Sequence, residues 1–187
     1  MSSQSFKVSF SLDEDDVKYF RSLFRKAKQA SRSQDPDEVL KAAEALVVSV
    51  REQKKVPGFV LDAIQTLEDL TEIIRDEDYA APKKVRSQVQ AALAYFANPQ
   101  DLIPDAIPVL GFLDDAIMIR LLDDEFKHEL WAFRKFRKFR SGAEQRPWTT
   151  VASKRLPGRL RDVRAKLRAD VEKKQQREAE KGGWSLT

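Results

Sequence analysis

Apolar residues recur three and four apart along most of this chain, and few helix-breaking residues interrupt them. That pattern constrains the fold more than any other feature. The 187 residues include only six glycines and eight prolines. A chain so poor in turn residues is expected to fold into long helices. Val17, Phe20, Phe24 and Ala27 form one such stripe. Leu40, Ala43, Leu46, Val47 and Val50 form a second, opened by Asp35-Pro36, a cap residue before a proline that the first helical turn tolerates. Val60, Ile64, Leu67 and Ile74 form a third; Val85, Val89, Ala92, Leu93 and Phe96 form a fourth, which Asn98-Pro99 ends. A fifth helix starts near Leu113. It is apolar nearly all round from Ala116 to Leu122, as a central buried helix is. It then runs on through Phe126, Leu130 and Phe133 and ends near Ser141-Gly142.

These elements predict an all-α bundle of about five helices. Residues 1–12 are expected to add a short extended arm, because Phe6, Val8, Phe10 and Leu12 alternate with polar residues. Ser11 and Glu14 have the spacing of a capping box for the first helix. The helical domain is expected over 13–141 and a linker over 142–158. A basic tail helix follows over 159–181, striped by Leu160, Val163, Leu167 and Val171. Residues 182–187 are expected to be disordered.

Charge divides the chain. Residues 131–187 carry 17 Lys+Arg and 6 Asp+Glu, a balance of +11; residues 1–130 carry 17 and 24, a balance of −7. A basic tail on an acidic body points to an acidic partner for the tail. With no cysteine and a single histidine, His128, thiolate metal sites, cysteine nucleophiles and two-histidine sites are excluded. No glycine lies in a phosphate-cradling loop motif. The apolar run Leu102–Leu122 is broken by Pro104, Asp105, Pro108, Asp114, Asp115 and Arg120, so no membrane span is expected. No basic start followed by an apolar run marks a signal peptide. A cytoplasmic location, peripheral on the inner membrane where the basic tail docks, is the expectation.

The segment Ala91–Asp115 contains Asn-Pro-Gln-Asp-Leu-Ile-Pro-Asp-Ala-Ile-Pro-Val-Leu-Gly-Phe-Leu-Asp-Asp. It resembles the YkvA-like family, a domain of unknown function. That family's pattern is [SN]-P-x-D-L-I-P-D-x-I-P-x-x-G-x-x-D-D. Pro99, Asp101, Ile103, Pro104, Asp105, Ile107, Pro108, Gly111, Asp114 and Asp115 all fit. The core of the resemblance covers about 85–125, and Phe6 to Ile74 is similar to the longer proteobacterial-type form. The resemblance implies no established reaction. Some relatives look like integral membrane proteins. Here Arg120, Asp123, Asp124, Glu125 and Lys127 follow the motif at once, which favours surface association over insertion.

Three chemistries compete for these residues. Asp101, Asp105, Asp114 and Asp115 are expected to cap turns and helix starts around a loop shaped by Pro99, Pro104, Pro108 and Gly111. Holding Mg²⁺ or Ca²⁺, for a metal-dependent enzyme, is the alternative for the same carboxylates. No catalytic residue is assigned: His128 has no nucleophile beside it in sequence, and Asp124 is its nearest same-face partner. No cofactor is expected beyond such an ion. The segment Trp131-Ala-Phe-Arg-Lys-Phe-Arg-Lys-Phe-Arg140 interleaves aromatics with cations. Trp131, Arg134, Lys135, Phe136, Arg137, Lys138, Phe139 and Arg140 are therefore the candidate polyanion-binding residues. The leading expectation is a non-enzymatic binding or adaptor domain. It docks through 131–175 on an acidic protein or an anionic membrane surface, with nucleic acid as the alternative partner.

Overall fold

The computed structural model describes residues 11–31, 34–97, 111–145 and 150–182, with side chains from 154 onward in the last segment. Among them the protein is all-α. The helices are α1 (Glu14–Ala30), α2 (Pro36–Glu52), α3 (Gly58–Arg75), α4 (Lys83–Leu93), α5 (Leu113–Glu125), α6 (Lys127–Glu144) and α7 (Thr150–Gly182). A short 3-10 turn, Ala94–Ala97, follows α4. The arm at 1–10, the loop prolines Pro99, Pro104 and Pro108, the aspartates Asp101 and Asp105, and the last residues 183–187 lie outside the described residues.

Side-chain caps explain the starts of the first two helices. Asp35 caps α2 by accepting the Asp37 N–H, with Pro36 in the first turn. The α1 cap lies two residues beyond the expected Ser11. Asp13 accepts N–H bonds from Asp15 and Asp16, at 2.8 and 2.9 Å, and the Asp16 carboxylate accepts from the Asp13 N–H at 3.1 Å. A carboxylate caps as well as a hydroxyl does, and it adds charge at the positive end of the helix dipole.

The core joins all seven helices. Ile64, Leu67, Leu70 and Ile73 of α3 are buried, as are Met118, Ile119 and Leu122 of α5 and Leu130, Phe133 and Phe136 of α6. The helix count exceeds five plus a tail because the fifth helix breaks. Phe126 ends α5 and starts α6, with φ −104° and ψ 14°. Asp123, Asp124 and Glu125 lie in the last turn of α5, where carboxylates oppose the dipole. At the break they also precede the start of a new one, where carboxylates are favourable.

The basic tail helix is longer than expected. It begins at Thr150, not near 159, and contains Pro157, so most of the expected linker is helical. Leu156 continues the Leu160 stripe one turn earlier and packs against the core, which compensates the proline. Leu160, Leu167 and Val171 are buried. The helix for which this stripe is built is α6 of the same chain, which runs antiparallel to it. Lys127 and His128, at the start of α6, meet Glu178, and Phe139, near its end, meets Arg159.

Candidate functional site: the α6–α7 face

The cations of α6 sort into two groups with different fates. Arg134, Arg137 and Arg140 are three apart and face α3 and the loop after it, where Asp69, Glu72 and Asp76 stand three and four apart. Arg134 Nε donates to Asp69 at 2.6 Å, and Arg137 Nη1 lies 2.9 Å from the same carboxylate and 3.0 Å from Glu72. Arg140 pairs with Asp76 at 2.7 Å and Asp78 at 3.3 Å. Hydrogen bonding to Asp76 is the main cause that raises the Arg140 pKa. The Asp69 side chain is 1% exposed. Much of the acidic partner that the sequence demanded for its basic segment is therefore the body of the same molecule.

Each arginine removed from this array should matter less alone than in combination. Asp69 keeps one guanidinium after Arg134→Ala or Arg137→Ala. The double variant strands a buried carboxylate, at a cost of about 3 kcal/mol and more than the sum of the singles. Chemical denaturation of the four proteins of the cycle measures this. Additive and small losses would mean that the pairs are mere surface contacts.

A second buried array fastens α7. The Tyr79 hydroxyl donates to Glu129 at 2.6 Å, Arg168 pairs with the same carboxylate, and the Arg168 guanidinium lies 4.3 Å from the Tyr79 ring. Burial, and then the nearby Glu129 charge, pushes the Tyr79 phenol far above its usual range. The loop that delivers Tyr79 has Ala80 in the left-handed region, at φ 42°. His128 meets Glu178, at 2.7 Å, in place of the expected Asp124. Hydrogen bonds from Lys127 and then His128 hold the Glu178 carboxyl below its ordinary range.

The remaining candidates divide by exposure. Phe136 is fully buried beside Tyr79, with ring centroids 5.3 Å apart, so it is a core residue and cannot enter a lipid or base stack. Its place three residues after Phe133 follows the inward face of α6. Trp131 and Phe139 are half-buried. Lys135 Nζ lies 4.5 Å and Lys174 Nζ 4.6 Å from the centroid of the Trp131 ring, and Arg159 lies 5.4 Å from that of Phe139. Lys135, Lys138 and Lys174 have no ion pair among the described residues. On α7, Arg159, Lys166 and Lys173 recur every seven residues, with Arg177 four further on; all four are exposed. Lys174 on Trp131 and Arg159 on Phe139 place this stripe beside the aromatic edge of α6. The sequence reading placed this helix within its basic docking segment, 131–175, but did not single out the stripe, although the sevenfold spacing of its cations was there to be read.

In the aspartate motif, Asp114 and Asp115 are buried in the first turn of α5, and Gly111 is buried in the turn before it. No cluster of three or more metal-ligating side chains occurs among the described residues, which do not include Asp101 and Asp105.

Residues 87–121 match the model of a family described as a protein of unknown function, DUF1232. They span the end of α4, the aspartate motif and most of α5. The chain is also 34% identical over 97 residues to a Bacillus subtilis (strain 168) protein named uncharacterized membrane protein YkvA, covering 49% of this chain and 83% of that one. The chain belongs to the YkvA-like family. No solved structure matches this YkvA-like protein. Among its described residues, no helix is long and apolar enough to cross a membrane.

Proposed function

We propose that this YkvA-like protein is a peripheral binding domain that docks on an anionic membrane surface through the α6–α7 face. The carrying observation is the separation of the cations. Arg134, Arg137 and Arg140 pair with carboxylates of the same fold, whereas Lys135, Lys138, Lys166, Lys173 and Lys174 have no carboxylate partner among the described residues, and Lys135 and Lys174 lie over Trp131. A half-buried indole among lysines suits the boundary between headgroups and acyl chains. The membrane protein YkvA, to which the chain is similar, makes a membrane the favoured anionic partner. Surface docking also accords with helices too polar to span a bilayer.

Sedimentation with vesicles tests this reading. The full chain is expected to pellet with phosphatidylglycerol-containing vesicles and to stay in solution with pure phosphatidylcholine. Near an anionic leaflet each lysine contributes about 1 kcal/mol. Changing Lys135, Lys138 and Lys174 to glutamine should therefore weaken binding roughly a hundredfold at low salt, with a stability loss of only about 1–2 kcal/mol from the two cation–π contacts. Indifference to anionic vesicles would refute the proposal. If the protein instead bound single-stranded nucleic acid with a steep salt slope, that would assign the face to nucleic acid.

A further inference from the structure

The lysine edge continues into an apolar groove. A groove of about 740 Å³ runs between α3, α5 and the start of α1, lined by Leu12, Val17, Phe59, Ala63, Ile117 and Leu121. Phe59 is 47% and Leu12 38% exposed, high for side chains of that size. At its polar end stand Thr66, Asp123 and Arg134. Asp123 and Arg134 also line a shallower hollow of about 390 Å³ with Lys127, Trp131, Lys135 and Lys138. The two hollows thus share a wall. That wall is fixed by the fold: Arg134 donates to Asp69 and, at 3.1 Å, to the Thr66 hydroxyl, and the Thr66 hydroxyl donates to Asp123 at 3.3 Å. An apolar trough therefore lies beside a lysine-rich hollow, with this wall between them.

We propose that the two hollows form one site for a single anionic phospholipid molecule. Its acyl chain lies in the groove between α3 and α5, and its phosphate lies among Lys135, Lys138 and Lys174 beside Trp131. Charge complementarity identifies the headgroup end: the ammonium groups of Lys135 and Lys174 both lie over the Trp131 ring, and neither has an ion pair among the described residues. The lining identifies the tail end: apolar side chains predominate in the groove, although Asp62, Gln65 and Arg120 also line it. This inference rests on the reading that the α6–α7 face meets a membrane, and sharpens it from general charge attraction to recognition of one lipid molecule.

Titration calorimetry of the full chain with lysophosphatidic acids of six, eight and ten carbons, each below its micellar concentration, tests it. One molecule per chain is expected. Affinity should rise about fourfold per added methylene, the factor that burial of a methylene supplies. Lysophosphatidylcholine of equal length should bind at least tenfold more weakly, and inorganic phosphate should give no measurable heat. Ala63→Phe, which fills the groove, should abolish the chain-length dependence while vesicle sedimentation persists. Lys135→Gln with Lys174→Gln should erase the preference over lysophosphatidylcholine. The chain-length series on the unaltered protein needs no variant to fold. Affinity independent of chain length, or uptake of many molecules per chain, would overturn the single-lipid site and leave surface docking standing. Docking lost with one-to-one lipid binding intact would do the reverse. Lipid binding that appears only after removal of residues 1–10 would assign the groove to that segment.

Discussion

A chain ending at Glu144 should lose several kcal/mol of stability and bind more of a hydrophobic dye than the full protein does. The α7 helix is neither a free tail nor an independent coil. It buries Leu160, Leu167 and Val171, and each fully buried aliphatic side chain contributes about 1.5–3 kcal/mol. Part of that sum is offset by the entropy of ordering the helix. Domains of this kind are stable by only about 5–15 kcal/mol in total, so the net loss is a large share. Removal of α7 also takes Arg168 from Glu129 and leaves that carboxylate with Tyr79. Thermal unfolding followed by circular dichroism, with dye fluorescence, measures the effect. In the full chain, Leu167→Ala alone should cost about 2 kcal/mol. A truncated protein that melts as sharply and at the same temperature as the full one would show that α7 is an appendage.

The sequence expectation ran the other way, and the reason is instructive. The Leu160, Val163, Leu167, Val171 stripe was legible, but it does not say whose surface it covers. Spacing reports that a face is apolar; only the tertiary structure supplies the opposing helix. The same limit explains Phe136. Three aromatics three apart drift around a helix, and each one's burial depends on the neighbours packed around that side. The apolar stripes of α2 and α4 needed no such information, because those helices start at Asp35 and Pro82 and expose one clear polar face. Phe126 is an intermediate case: the acidic run before it was visible, yet the apolar stripe passes through it unbroken and hides the end of α5.

Electrostatics were legible in total and not in detail. The balance of +11 against −7 points to an acidic partner for the basic segment, but it cannot distinguish a second molecule from the same one. The detail was present as two matching spacings: Asp69, Glu72 and Asp76, and Arg134, Arg137 and Arg140. On adjoining helices such rows meet pairwise, and in this fold they do. Subtracting the arginines so consumed exposes the lysines that remain, and with them the edge around Trp131. The candidate site is thus a residue of the charge pattern, visible once the internal pairs are known.

Phe136 and Trp131 allow the core and the docking edge to be separated by two substitutions of similar chemistry. Phe136→Ala removes a fully buried ring packed against Tyr79, and is expected to cost about 3–5 kcal/mol. Its vesicle binding, measured at a temperature where the variant remains folded, should equal that of the unaltered protein. Trp131→Ala removes a half-buried ring from beneath two lysines. It should cost less, about 2 kcal/mol, since the two cation–π contacts contribute about 0.5–1 kcal/mol each and the ring is only partly packed against the core. Its binding at high salt, where charge attraction is screened and apolar insertion is not, should fall at least tenfold. Denaturant titration gives the stability arm and sedimentation at two salt concentrations gives the binding arm. The opposite result, with binding lost in Phe136→Ala at full stability, would return the docking surface to the inner face of α6 and contradict the packing of that ring against Tyr79.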